Sequence, residues 1–455
     1  MNGPDSPEPL AAGEFAALMA PLGPFEPAPS LAVGVSGGAD STALALLADA
    51  WARARGGRVL ALVADHGLRP ESGREAALTC ERLAARGIAS ELLVLTGLEP
   101  GPALEERARL ARHAALRAAA ARHGLLHLLL AHHAADQAET VAMRRLSGSG
   151  PAGLAGMAGL LETPEVRLLR PLLSVPPGRL RATLRAAGMA WVEDPSNADP
   201  ALSRARLRAA RADAAGTGVL ARACVVAAAA RGGARRRAEL ACAGELAARA
   251  SLYPEGYALL TAGPIDPAAL AALLRTLGGR AYAPSPRQVT PLAAALRPAT
   301  LGGVRILPAG RRGPGWLVVR EAAAVGPAVL ARAGAVWDGR FRLVDAEGLA
   351  SGCRLGALGR AAAALRRLPA ARPLPSAVLE TLPALWHGAE LVAVPHLLLY
   401  LHPPLCREAH VVFSPPVPVA GAPFCTAGPL LPREIVAVYG EGGAQAAAAP
   451  YVRLS

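Results

Sequence analysis

The stretch that most constrains this chain is 31–47, L-A-V-G-V-S-G-G-A-D-S-T-A-L-A-L-L. Leu31 to Val35 is a short apolar run, and it reads as a strand buried on both faces, as in a parallel sheet. Ser36-Gly37-Gly38-Ala39-Asp40-Ser41 is a turn of small residues, and Thr42 to Leu47 reads as the start of a helix with Ser41 or Asp40 at its N-terminus. A glycine-rich turn between a buried strand and a helix leaves backbone N–H groups directed at solvent, at the positive end of the helix dipole. That combination is an anion site. Gly37 and Gly38 let the backbone approach a phosphate without an intervening side chain.

Two familiar phosphate loops are excluded. The stretch has no G-x-x-x-x-G-K-[ST], the whole chain contains no lysine, and G-x-G-x-x-G is absent from the loop. The six-residue pattern S-G-G-x-D-S resembles the PP-loop of the N-type ATP pyrophosphatases. That resemblance implies a Rossmann-like, adenine nucleotide α-hydrolase-like domain with a parallel sheet. In it Ser36, Gly37, Gly38, Ala39, Asp40 and Ser41 would hold the phosphates of ATP, with Mg²⁺ at Asp40. A plain glycine-rich connector is the alternative for S-G-G alone; the full pattern between strand and helix favours the phosphate loop.

Further strands are expected at Val59 to Ala64, Ser90 to Leu95 and Leu125 to Leu130, with a helix over Leu104 to Arg122. Ligands of open α/β sheets gather at the C-terminal ends of strands, which places Asp65 and His66 beside the nucleotide. Arg109 and Arg112 share a helix face, a spacing common on solvated helices. His132-His133-Ala134-Ala135-Asp136-Gln137-Ala138-Glu139-Thr140 follows the fourth strand. Asp136 and Glu139, three apart on the first turn of a helix, present two carboxylates on one face. The pair suits a cation, either Mg²⁺ or an ammonium group, or else offsets the helix dipole. The spacing is not that of a zinc site.

The resemblance narrows with H-H-x-x-D-Q-A-E-T, then Arg144 and Arg145, then Gly148 to Met157, Arg170-Pro171-Leu172-Leu173, and Trp191-Val192-Glu193-Asp194-Pro195-Ser196-Asn197 followed by Arg204, Arg206 and Arg208. In that order and spacing the segments are similar to the tRNA(Ile)-lysidine synthetases over residues 31 to 210. The resemblance implies an ATP-dependent ligase. It would join L-lysine to C2 of the wobble cytidine in the isoleucine tRNA with a CAU anticodon, through an adenylated base. It assigns lysine recognition and catalysis to Asp136 and Glu139, makes His133 a candidate base, and lets Arg109 and Arg112 steady the AMP leaving group or RNA phosphates. Ala135 and Ala205 stand where the family usually has Asp and Asn. A dimer is the family's suggestion for oligomeric state. Two other readings remain at this level: a PP-loop ligase with a different acceptor, disfavoured by the absence of C-x-x-C pairs, and a non-catalytic RNA-binding relative.

The remaining chain fits that layout. Residues 1–30 are a Pro-rich extension in which Phe15, Leu18, Met19 and Leu22 form a short amphipathic helix. The catalytic domain is 31–212. A helical, mixed domain follows at 213–328, with a β-hairpin of Leu301 to Leu307 and Trp316 to Arg320 and with Arg311 and Arg312 at its tip. A small α/β domain at 329–455 has strands at Trp337 to Val344 and Leu391 to Pro395. The resemblance implies that both later domains bind tRNA. A net charge of +13 carried by arginine agrees with a polyanionic partner. The lack of lysine itself reads as compositional bias. The six cysteines are scattered, and no signal peptide or membrane span is visible, so a cytoplasmic protein is expected.

Overall fold

The computed structural model describes residues 7–426 except 66, 68–70, 98–100, 102–103 and 194–217. The chain divides into two compact units. The first runs to Arg237 and resumes at Ala422; the second is Ala238–Gly421.

In the first unit, helix α1 (Ala12–Met19) and the 3-10 turn after it bury Phe15, Leu18, Met19 and Leu22. These residues belong to the same apolar cluster as β1 (Ser30–Val35) and α2 (Ala39–Arg53). The extension is thus part of the core. Each such side chain contributes about 1.5–3 kcal/mol of burial.

Alternating helices and strands then build one sheet. They are β2 (Arg58–Asp65), α3 (Ser72–Ala84), β3 (Ala89–Val94), α4 (Leu104–Arg122), β4 (His127–Leu129), α5 (Ala134–Leu146), β5 (Leu160–Glu162), β6 (Arg167–Leu169) and α6 (Pro177–Ala186). The strand order is β3-β2-β1-β4-β6-β5, parallel except for β5. Strand β1 pairs with β2 from Ser30↔Arg58 to Val35↔Val63, and with β4 from Leu31↔His127 to Val33↔Leu129. The order reverses between β1 and β4, so a crevice opens at the C-terminal ends of those two strands. The loop after β1 and the segment after β4 both leave the sheet there. Strand β4 is shorter than the apolar run that predicts it. Leu125 N–H bonds back to Ala120 O across Gly124 (φ +64°), so the start of the run closes α4 instead.

Helix α7 (Val219–Arg249) carries the chain across the boundary at Arg237 and Ala238. The second unit is built from antiparallel sheets. One contains β7 (Ala250–Tyr253), β8 (Tyr257–Thr261), β9 (Ala299–Leu301), β10 (Val304–Pro308) and β11 (Gly315–Arg320); the expected hairpin is its β10–β11 pair, with Arg311 and Arg312 at the tip. Beyond it come β12 (Val329–Leu330), β13 (Val336–Trp337), β14 (Phe341–Glu347), β15 (Arg354–Ala357), β16 (Pro383–His387), β17 (Glu390–Val394), β18 (Leu399–Tyr400) and β19 (Glu408–Phe413).

Two details differ from the sequence reading. The run from Trp337 to Val344 is not one strand. Asp338 (φ +52°) and Gly339 (φ +62°) turn the chain, and β13 pairs back on β14. An Asp-Gly pair is the standard signal for that turn. The cut expected at 328/329 falls inside the second unit. One apolar cluster there joins Tyr257, Leu317 and Val319 to Leu358, Val378, Leu379 and Leu397. The cut expected at 212/213 lies outside the described residues.

Candidate active site

The loop 36–41 has the strand–turn–helix context that its sequence predicts, with one shift. Helix α2 begins at Ala39 with Gly38 as N-cap in an extended conformation (φ −70°, ψ 164°), so Asp40 and Ser41 are the second and third helical residues rather than the cap. The reason is Ser41. Its Oγ accepts from Ser36 N–H (3.0 Å), lies 3.1 Å from Ser36 Oγ and donates to Gly38 O (3.2 Å). The two hydroxyls thereby shape the loop. The first N–H groups of the helix have no intrahelical acceptor, as at every helix start.

Gly37 has φ +84°, and a Cβ there would stand 2.7 Å from Thr79 Oγ1 of α3. On the other side Val192 N–H donates to Gly37 O (2.9 Å). The Trp191-Val192-Glu193 stretch is therefore tied to the loop it follows by more than 150 residues. Gly37→Ala is expected to destabilise the first unit by about 1–3 kcal/mol. Thermal melting checks this, and an unchanged melting temperature would show that the loop relaxes freely.

Across the crevice, His133 is the N-cap of α5. Asp136 Oδ2 accepts from His133 N–H (3.0 Å), which fixes the helix start and the carboxylate together. The His133 ring lies between the two acids, with Nε2 3.4 Å from Asp40 Oδ2 and Nδ1 3.5 Å from Asp136 Oδ2. Burial alone would lower the imidazole pKa. The hydrogen bond to Asp40 and the charges of Asp136, Asp40 and Glu139 outweigh it and hold the pKa above its usual value. The flanking acids thus favour the charged imidazole, an effect that any base role of His133 has to work against. Glu139 is 3% exposed, one turn further along α5.

Asp40, His133 and Asp136 thus meet in one place, and the Glu139 charge acts on the same imidazole. The other candidates stand differently. Asp65 ends β2, and its Oδ1 accepts from Gly67 N–H (2.9 Å), closing a local turn. His66 lies outside the described residues, as do Asp194 to Asn197, Arg204, Ala205, Arg206 and Arg208. Arg112 sits in α4 among basic groups. Burial and then the charge of Arg109 lower its pKa. Its neighbour His113 is pushed down to about 4 by burial and by Arg112, Arg109, Arg170 and Arg117. Arg109 is paired with Glu106 (2.8 Å).

Three residues inside the sequence motifs do work that spacing alone did not reveal. Gln137 clasps Met157, accepting its N–H (2.7 Å) and donating to its carbonyl (3.1 Å). Arg144 donates to Gly153 O and Gly156 O (2.8 and 2.7 Å). Arg170 donates to Ala158 O (2.9 Å). Together they bind the glycine-rich run 153–158 to α5 and to the end of β6. The sequence signal was the polar Gln137 between Ala135 and Ala138 in a helix start rich in alanine.

Residues 9–213 match a family model described as a PP-loop domain. The chain is 43% identical over 203 residues to the tRNA(Ile)-lysidine synthase of Bradyrhizobium sp. (strain BTAi1), covering 44% of this chain and 56% of that one. In such alignments the chain spans little more than half of the relative's length. It is also 39% identical over 388 residues to the tRNA(Ile)-lysidine synthase of Ruegeria pomeroyi, covering 81% of this chain and 89% of the relative.

The chain belongs to the tRNA(Ile)-lysidine synthase family. A third family member, from Ralstonia nicotianae, is 37% identical over 321 residues, or 66% of this chain and 67% of that one. The matches to Ruegeria and Ralstonia are longer than the PP-loop domain, so likeness to the family extends past the first unit's sheet. Among the described residues no helix is long and apolar enough to cross a membrane, and no cluster of His, Cys, Asp and Glu has the form of a metal site.

Proposed function

We propose that this protein is an ATP-dependent ligase. It joins the ε-amine of free L-lysine to C2 of the wobble cytidine in the isoleucine tRNA with a CAU anticodon, giving lysidine, AMP and pyrophosphate. The observation that carries the reading is the meeting of Asp40, from the phosphate loop, with His133 and Asp136 of α5 at one sheet crevice. Membership of the family supplies the substrates.

ATP would place its phosphates against the loop 36–41, where Gly37 and Gly38 admit a close approach and the start of α2 favours negative charge. Mg²⁺ fits the same place, because Asp40 Oδ1 is buried and makes no hydrogen bond among the described residues. Asp40 would hold the ion, which supplies charge neutralisation at the phosphates. The cytidine C2 oxygen attacks the α-phosphate in line and displaces pyrophosphate. Such a transfer needs positioning and electrostatics more than covalent help. The lysine amine then attacks C2, and AMP leaves with its bonding pair. An ammonium group must be bound and then deprotonated to be a nucleophile. Asp136 and Glu139 supply the binding charge, and His133, between Asp40 and Asp136, is the candidate acceptor of that proton. Arg112 and its basic neighbours suit RNA phosphates. We place the protein in the cytoplasm and assign tRNA contacts to the arginine-rich residues beyond 213.

The deciding assay follows AMP formation with ATP, lysine and the CAU tRNA. Formation that is indifferent to the tRNA supplied, or that needs no lysine, would overturn the assignment. Glu139→Gln is expected to raise the KM for lysine roughly 10- to 100-fold, because it removes a buried charge facing an ammonium. ATP–pyrophosphate exchange should persist in that variant.

A further inference from the structure

The first unit recovers the chain at Ala422, after the whole of the second unit has been traversed. The returning residues are seated by contacts to three separate parts of the unit. Ala422 N–H donates to Glu162 Oε2 of β5 (3.2 Å). Gly159 N–H donates to Cys425 O (2.7 Å), while Cys425 Sγ reaches Pro21 O (3.3 Å) and its side chain joins the main apolar cluster. Phe424 is buried, with Arg235 of α7 stacked on its ring at 4.5 Å. Arg235 also donates to Ala152 O (3.1 Å).

Gly232 of α7 makes this seating feasible. A Cβ there would stand 2.9 Å from Phe424 Cε1 and overlap Thr426 Cγ2. A glycine inside a long helix is unfavourable, and here it leaves the space that the returning chain fills. Gly233, its neighbour, would meet nothing closer than Arg237 Nη1 at 3.7 Å.

The contacts at Glu162, at Gly159 and, through Arg235, at Ala152 fall on the run 152–162, the same run that Gln137 and Arg144 hold from α5. Both residues are on α5, and Gln137 follows Asp136 directly. The path from strap to carboxylates is therefore Cys425, Gly159, Met157, Gln137 and α5. We propose that residues 422–426 form a positioning strap that presses the 152–162 run onto α5 and so fixes Asp136 and Glu139 in the crevice. None of its residues touches the reacting groups. The loop 36–41 is built by other contacts, from Ser41, Thr79 and Val192, so the strap acts on the lysine side of the site. In that last respect the inference rests on the proposed function.

The test uses the full-length protein with Gly232→Ala, Gly233→Ala and Phe424→Ala, read by amide hydrogen exchange, thermal melting and initial rates. Helix propensity alone predicts that both glycine variants melt higher. The strap predicts that only Gly233→Ala does. Gly232→Ala and Phe424→Ala should instead melt lower and exchange faster at amides 153–161 and in the first turns of α5. They should raise the KM for lysine about tenfold while holding the KM for ATP within about twofold. Gly232→Ala behaving like Gly233→Ala would overturn the strap. So would faster exchange confined to 422–426, or ATP and lysine constants rising together. A wild-type protein with no lysine-dependent AMP formation would refute the proposed function instead, and the exchange data would still decide the strap.

Discussion

Replacing Asp40 with Ala is expected to slow adenylation of the tRNA, read as pyrophosphate release, by roughly 10²–10³-fold. Its carboxylate is the one acid carried by the phosphate loop itself, and one of its oxygens is buried without a hydrogen bond among the described residues. The fold should survive the change. Asp40 is in the first turn of α2, where its favourable interaction with the helix dipole amounts to about 0.3–1 kcal/mol. Circular dichroism and melting would confirm a folded variant, and ATP–pyrophosphate exchange would read the chemistry. A rate within about tenfold of wild type would remove Asp40 from the machinery.

Asp338→Asn is expected to cost the second unit about 3–5 kcal/mol. The Asp338 side chain is 2% exposed and lies between two arginines, with Oδ1 2.8 Å from Arg320 Nη2 and Oδ2 2.6 Å from Arg340 Nε. Both arginines are buried as well, and Gly326 N–H donates to the same carboxylate (2.9 Å). Asparagine keeps the shape and tolerates the positive φ, so the variant isolates the charge. Two guanidinium groups would then remain in the interior without their counter-charge.

The same acid makes the unit sensitive to low pH. Burial would raise the Asp338 pKa, but the hydrogen bond from Arg320, the Arg340 charge and the Gly326 N–H outweigh it and lower the folded-state value. A carboxyl whose pKa is lower folded than unfolded contributes its full stabilisation above the unfolded pKa, near 3.9 for Asp. That contribution is lost as the pH falls through the folded value. Unfolding by urea between about pH 6 and pH 2 should therefore show a decline in wild type that is shallower in Asp338→Asn. Parallel profiles would show that Asp338 is not the titrating group.

How far the sequence could be read depended on the range of the interactions involved. Strands β1 to β3 and helix α4 were legible because each is a local apolar or helical run. The acids of α5 were legible because two side chains three apart on one helix need no tertiary information. Helix α2 was placed too late because the cap was sought among side chains, whereas Ser41 reaches back to Ser36 and leaves capping to Gly38. The break at Asp338-Gly339 had a local signal that the apolar flanks on either side obscured. Gln137, Arg144 and Val192 escaped for a different reason. Their roles are bonds to backbone atoms of residues 9 to 155 positions away, and no pattern in one sequence displays the partner. The unity of the second unit was invisible on the same ground, since Tyr257 and Val378 meet only in space.

The return of the chain at Ala422 also bears on how the protein is made. Translation proceeds from the N-terminus, and most domains fold as they emerge from the ribosome. Here Cys425 takes its place beside Pro21 and the first apolar cluster some four hundred residues after that cluster was begun. The nascent first unit must wait for the entire second unit to be synthesised before residues 422–426 arrive. Until then the seat of Cys425 and Phe424 stands open, and premature termination would release chains with that seat unfilled.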